Sequence, residues 1–160
     1  MVLNITKLGE DVLRQKATPV TEINDDIRKL AEDMFDTMIA ANGVGLACPQ
    51  VGLSIRMFVI IADDDVRRVF INPQIIKTTE ETCDYEEGCL SLPQVWEVNN
   101  RPEKNGFKIR LNLFFRKQEY ESIFFKSKVP DIITKTGTEK RMLPSIILAI
   151  CHVEFGSEFT

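Results

Sequence analysis

The chain has 160 residues, 44% of them hydrophobic and 28% charged, enough to bury one core and too few for two ordinary domains. A formal net charge of −4 argues against nucleic acid as a direct partner, because phosphate binding needs a concentrated basic surface. No apolar run approaches the roughly 20 residues of a membrane span, and the opening "MVLNITKLGEDVLRQ" lacks the layout of a secretory signal, so a cytosolic protein is expected. In a reducing compartment Cys48, Cys83, Cys89 and Cys151 are expected as thiols or metal ligands rather than disulfides.

Between Asp25 and Ala41 the apolar residues Ile27, Leu30, Ala31, Met34, Phe35, Met38 and Ala41 recur at helical spacing. This predicts an amphipathic helix with Asn24, Asp25 and Asp26 as cap candidates, stopping at Asn42-Gly43, where a left-handed residue is needed. "GVGLACPQVG" follows, with Gly43 and Gly45 two apart in an extended stretch, an arrangement a strand avoids unless another backbone must come close. A glycine-rich turn is its ordinary reading. "IRMFVII" and "RRVFINP" are β-branched and aromatic runs too short for helices, and they predict two strands joined by a turn at "ADDD". Helix, strand, strand in that order suggests an α+β fold rather than a doubly wound parallel sheet. Further on, "YEEGCLSLP" sets Cys89 after Gly88 and before Leu90, where a buried structural cysteine is the ordinary reading.

Taken together, "GVGLACPQVG" and "EGCLS" at Glu87–Ser91 resemble the first two signatures of the peptide deformylase family, which implies that family's α+β fold of small antiparallel sheets packed around a helix. "LGEDVLRQKATPV" and "FINP" are similar to the same family, so the resemblance runs from about Ile5 to Pro102. Peptide deformylases remove the formyl group from formyl-methionine N-termini of new bacterial and organellar proteins. The resemblance therefore implies an N-formyl-methionyl peptide substrate on chains emerging from the ribosome, in a bacterial cytoplasm or an organelle, away from membranes. It implies a divalent metal, commonly Fe2+, with Zn2+ or Ni2+ as alternatives, which lowers the pKa of a bound water. By the same resemblance Cys89 ligates that metal as a thiolate. The Gln50 side-chain amide and the Leu90 backbone N–H would stabilise charge developing on the formyl oxygen. Gly43, Val44, Gly45 and Leu46 would line the substrate backbone as an added strand. Glu87 and Gly88 would shape the cysteine turn, a solvated surface glutamate being the competing reading of Glu87.

The family's third signature, histidine-glutamate-x-x-histidine on a helix, has no match here, and His152 is the one histidine in the chain. Two registers align "AICHVEFGSEF" with it. In the first, His152 is a metal ligand, with Val153 and Gly156 at the positions of the base and the second histidine. In the second, Leu148, Ala149 and Cys151 align, and Glu154 and Glu158 stand where the histidines belong. A core or surface histidine without a metal is the third reading.

Composition changes over the same stretch. Residues 1–102 carry ten basic and seventeen acidic side chains, residues 103–160 ten and seven, and aromatic residues rise from five to eight. No linker marks the change, so a single domain over 1–160 is expected, with residues 103–160 divergent from the family in the abrupt way a displaced reading frame produces. "KIRLNLFF" is expected as a strand there, and Pro144 interrupts the approach to any helix at His152. Three functions remain in view: a deformylase, a non-catalytic relative that binds N-terminal peptides, and a small structural domain.

Overall fold

The periodic stretch after Asn24 forms helix α1, Asp25–Ala40, in a computed structural model that describes residues 1–61, 65–78, 82–102 and 107–110. Asn24 caps it, its side-chain oxygen accepting the Ile27 N–H at 3.1 Å, and Asp25 and Asp26 place negative charge against the positive end of the helix. At the other end the left-handed residue is Asn42, with φ 55°. The Asn42 N–H then donates to the Ile39 carbonyl at 3.0 Å and the Gly43 N–H to Met38 at 2.9 Å, closing the last turn. The inward face of α1 buries Ala31, Met34, Phe35 and Met38 against Leu46, Cys48, Met57, Val59 and Ile71. Each large side chain buried this way contributes about 1.5–3 kcal/mol.

The expected strands follow as β1, Gly45–Ala47, β2, Met57–Ile61, and β3, Arg67–Ile71, in an antiparallel sheet of order β1-β2-β3. By the two-residue period, Met57 and Val59 face α1 while Phe58 and Ile60 face away, and all four are buried. On that far face Phe58 stacks on its cross-strand partner Phe70, ring centres 4.5 Å apart. A 3-10 turn at Cys48–Val51 links β1 towards β2 and ends at Gly52, whose φ of 82° suits glycine. Beyond β3, the Asn72 side-chain amide donates to the Val20 carbonyl at 2.7 Å and accepts the Val20 N–H at 2.8 Å, tying the strand end to the N-terminal segment.

Two further antiparallel pairs complete the described fold. β4, Gln74–Thr78, pairs with β7, Phe107–Arg110, and β5, Thr82–Cys89, pairs with β6, Leu92–Pro102. The β5–β6 hairpin turns at Leu90 and Ser91, with Cys89 opposite Leu92. Its register then jumps so that Gly88 faces Trp96, the intervening Pro93, Gln94 and Val95 forming an outward bulge in which Gln94 has φ 68°. The α+β architecture agrees with the sequence pattern. The strand expected in "KIRLNLFF" is β7 as far as Arg110, beginning one residue earlier at Phe107, and its remainder lies outside the described residues. Three residues of the "ADDD" turn, together with Pro144, His152, Glu154 and Glu158, also lie outside them. Among the described residues no helix is long and apolar enough to cross a membrane.

Candidate active site

Pro49 and Gly52 decide where Gln50 goes. Proline suits the start of the 3-10 turn, where its missing N–H is not needed, and Gly52 lets the chain leave in the left-handed region. The turn folds Gln50 back onto β1, where its Oε1 accepts the Ala47 N–H at 2.9 Å. A side-chain amide has one accepting and one donating end, so fixing the oxygen aims the nitrogen elsewhere. Gln50 Nε2 lies 3.5 Å from Cys89 Sγ and 3.3 Å from Ser91 Oγ. Gln50 is 4% exposed and Ser91 3%, so little water competes for these contacts.

Cys89 ends β5 and keeps part of its surface, whereas Cys48 is fully buried with its thiol 3.4 Å from Met34 Sδ. Burial pushes the Cys48 thiol far above its ordinary pKa, so it stays neutral and serves packing. Chemistry at a thiol therefore falls to Cys89 rather than to Cys48. Next to it, the Leu90 carbonyl accepts from Lys7 Nζ at 3.3 Å, and the Leu90 side chain covers Gly43. A Cβ on Gly43 would stand 2.6 Å from Leu90 Cδ1, which explains the glycine by close approach rather than by backbone conformation. Gly88 is covered in the same way by the Trp96 ring, 2.9 Å from where a Cβ would be.

The fold thus gathers Gln50, Cys89, Leu90 and Gly43, with Gly88 one residue away on β5. Val44 and Gly45 lead into β1, which is an edge strand of its sheet in the described structure; Val44 is 42% exposed and its carbonyl accepts the Ile61 N–H at 3.0 Å. Leu46 differs from them, because its side chain is fully buried in the core and leaves only backbone for a ligand. Glu87 stands opposite Glu97 in the hairpin, its side chain outside the described residues, and His152 is outside them altogether. Ser91 was not singled out by sequence, although a serine kept inside an apolar turn signals a hydrogen-bonded role. Among the described residues, no three His, Cys, Asp or Glu side chains gather into a group able to hold a metal ion.

Comparison with known proteins gives this arrangement its context. The polypeptide deformylase family profile matches residues 2–123, so the likeness extends beyond Pro102. The peptide deformylase of Fusobacterium nucleatum is 48% identical over 106 residues, covering 65% of this chain and 61% of that protein. That of Pseudothermotoga lettingae is 50% identical over 104 residues, covering 65% and 60%. The chain spans about three fifths of the length of these relatives. Among solved structures, the Thermotoga maritima peptide deformylase superposes with a TM-score of 0.65 at 38% identity, covering 69% of this chain and 74% of that one. A Met-Ala-Ser-bound peptide deformylase from Acinetobacter baumannii gives 0.64 at 32% identity, covering 69% and 76%. A family match over more than half of the residues, two related sequences near half identity and the shared fold lead to one conclusion: the chain belongs to the polypeptide deformylase family.

Proposed function

We propose that this chain carries the site of a metal-dependent peptide deformylase, hydrolysing the formyl group of N-formyl-methionyl peptides. The observation that carries the reading is the Gln50 amide, whose oxygen is held by the Ala47 N–H and whose nitrogen is aimed at the Cys89 turn. A donor fixed in advance inside a nearly dry site is what stabilises an oxyanion without reorganisation during the reaction. Gln50 Nε2 and the Leu90 backbone N–H would hold the formyl oxygen. Gly43–Leu46 would hold the peptide by adding it to the β1 edge, and the relative seen with Met-Ala-Ser bound supports a peptide ligand. We infer one domain over 1–160; the family profile, which matches residues 2–123, supports this as far as residue 123. The substrate class favours the bacterial cytoplasm or an organelle, on chains leaving the ribosome.

A thiolate at Cys89 suits Fe2+, Zn2+ or Ni2+, and His152 is the further ligand proposed for it. When bound, such an ion supplies a water acidic enough to attack an amide. Of the two ligands proposed, Cys89 and His152, Cys89 lies among the described residues. With one histidine in the whole chain, a second reading has its own support: a groove that binds N-terminal peptides without turning them over. Formate release from a formyl-methionyl peptide, under anaerobic conditions with Fe2+ and against the same iron in buffer, separates the two. A rate of about 1 per second or more supports the enzyme, and peptide binding without formate supports the groove. Cys89→Ser is expected to remove metal retention and leave the fold intact, since a hydroxyl is a poor substitute for a soft thiolate; unchanged metal content would remove Cys89 from the site.

A further inference from the structure

Gln50 and the Cys89–Ser91 turn come from distant parts of the chain, and of the direct contacts of Gln50 Nε2 the one to Ser91 Oγ, at 3.3 Å, is long for a hydrogen bond, while the one to Cys89 Sγ, at 3.5 Å, is to a weak acceptor. Further bonds to both turns come from three consecutive residues near the N-terminus, those of Thr6 and Leu8 being shorter. The Thr6 N–H donates to the Gln50 carbonyl at 2.9 Å and its Oγ1 to the Pro49 carbonyl at 3.0 Å, while the Leu8 N–H donates to the Ser91 carbonyl at 3.1 Å. Between them, Lys7 Nζ donates to the Leu90 carbonyl at 3.3 Å. Two residues of chain span at most about 7 Å, so one short segment limits how far the two turns can separate. The segment is itself anchored on α1, where Thr37 Oγ1 accepts the Leu3 N–H at 2.8 Å.

From this geometry we infer that Thr6, assisted by Lys7, is a positioning residue that sets the separation between the Gln50 amide and the Cys89 turn. Thr6 is the principal member because its backbone and its hydroxyl hold the two main-chain carbonyls on either side of the Gln50 α-carbon, and it is 9% exposed. The Pro49 carbonyl also accepts the Gly52 N–H at 3.1 Å, so removing the Thr6 hydroxyl does not leave that carbonyl unsatisfied. What is lost is one of the two bonds of the tether, the Thr6 N–H to the Gln50 carbonyl remaining. The inference rests on the deformylase reading only for its effect on turnover.

Two thiols make the test specific. Cys89 reports on the site and Cys48, fully buried, reports on general loosening, with iodoacetamide labelling followed peptide by peptide by mass spectrometry. Thr6→Val, which keeps the shape and deletes the hydroxyl, is expected to speed Cys89 labelling about fivefold with Cys48 unchanged. Thr6→Ser restores the hydroxyl and is expected to label like the parent. Lys7→Met, at an exposed position, is expected to speed Cys89 labelling about twofold and takes over the test if Thr6→Val does not fold. Parental Cys89 labelling in the variant used, or Cys48 labelling that rises in step with it, would overturn the inference. If the parent releases formate, Thr6→Val must lower kcat about fivefold with KM unchanged; an unchanged kcat overturns the inference. If the parent releases none while the labelling pattern holds, the deformylase reading falls and the positioning role stands.

Discussion

The helix-backed sheet and the β5–β6 hairpin each supply one side of the candidate site, and they are held by different forces. In the first, Met34, Phe35, Met38, Leu46, Met57 and Phe58 are all fully buried, so its shape is set by close packing. In the hairpin, Trp96 and Val98 are each 68% exposed and Val95 44%, so the described contacts of its outer strand rest on the ladder with β5 rather than on a core. Gln50 stands on the packed side and Cys89 on the hairpin side. Rigidity therefore enters the site from the sheet and is passed across to the hairpin turn by the packing of Leu90 on the core and by hydrogen bonds from Gln50, Lys7 and Leu8.

The sharpest way to break this contrast is to delete one large side chain from each region. Phe35→Ala, which also removes the ring beneath the Arg67 guanidinium, is expected to cost about 3–5 kcal/mol in urea unfolding. Trp96→Ala is expected to cost less than about 1 kcal/mol, because its ring is largely in water already. Equal costs would mean that the hairpin rests on a core of its own. At the junction, Gln50→Ala strips the buried Ala47 N–H of its acceptor and is expected to cost about 1–3 kcal/mol in the same measurement. It should also slow any formate release by about a hundredfold. Loss of rate without loss of stability would separate the donor end of Gln50 from its anchoring end.

The two covered glycines sharpen the contrast further. Leu90 is partly buried against the core, so Gly43→Ala forces a packed side chain aside and is expected to cost about 1–2 kcal/mol. Trp96 can swing outwards, so Gly88→Ala should cost less than about 1 kcal/mol and appear chiefly as a red shift in the emission of the chain's one tryptophan. The smallest effect is a slope against pH. The Lys29 ammonium at 2.7 Å, and after it the Met1 amino group, hold the Asp33 carboxyl below the ordinary aspartate range. A lowered folded pKa stabilises above the unfolded value and is lost as pH falls through the folded one. Asp33→Asn should therefore flatten the acid limb of the urea midpoint below about pH 4, and an unchanged limb would show that the ion pair contributes nothing there.

Sequence by itself determined the parts whose cause is local. The helical spacing of Ile27, Leu30, Met34 and Met38 fixed α1 and its inward face; Asn24 and Asn42 marked its ends because capping and left-handed backbone are properties of a few adjacent residues. The runs around Val59 and Val69 gave β2 and β3 for the same reason, and "GVGLACPQVG" with "EGCLS" pointed to the family that the comparisons then established. Only the tertiary structure decided which end of the Gln50 amide faces Cys89, that Gly43 is small because Leu90 lies on it, that Leu46 belongs to the core, and that Ser91 and Thr6 stand at the site. The contacts of Gln50 with Cys89 and Ser91, of Thr6 with Pro49 and of Gly43 with Leu90 join residues 39 to 47 positions apart. Residue spacing encodes how a segment bonds and buries itself, whereas the orientation of an amide or the gap above a glycine depends on what another segment brings to it.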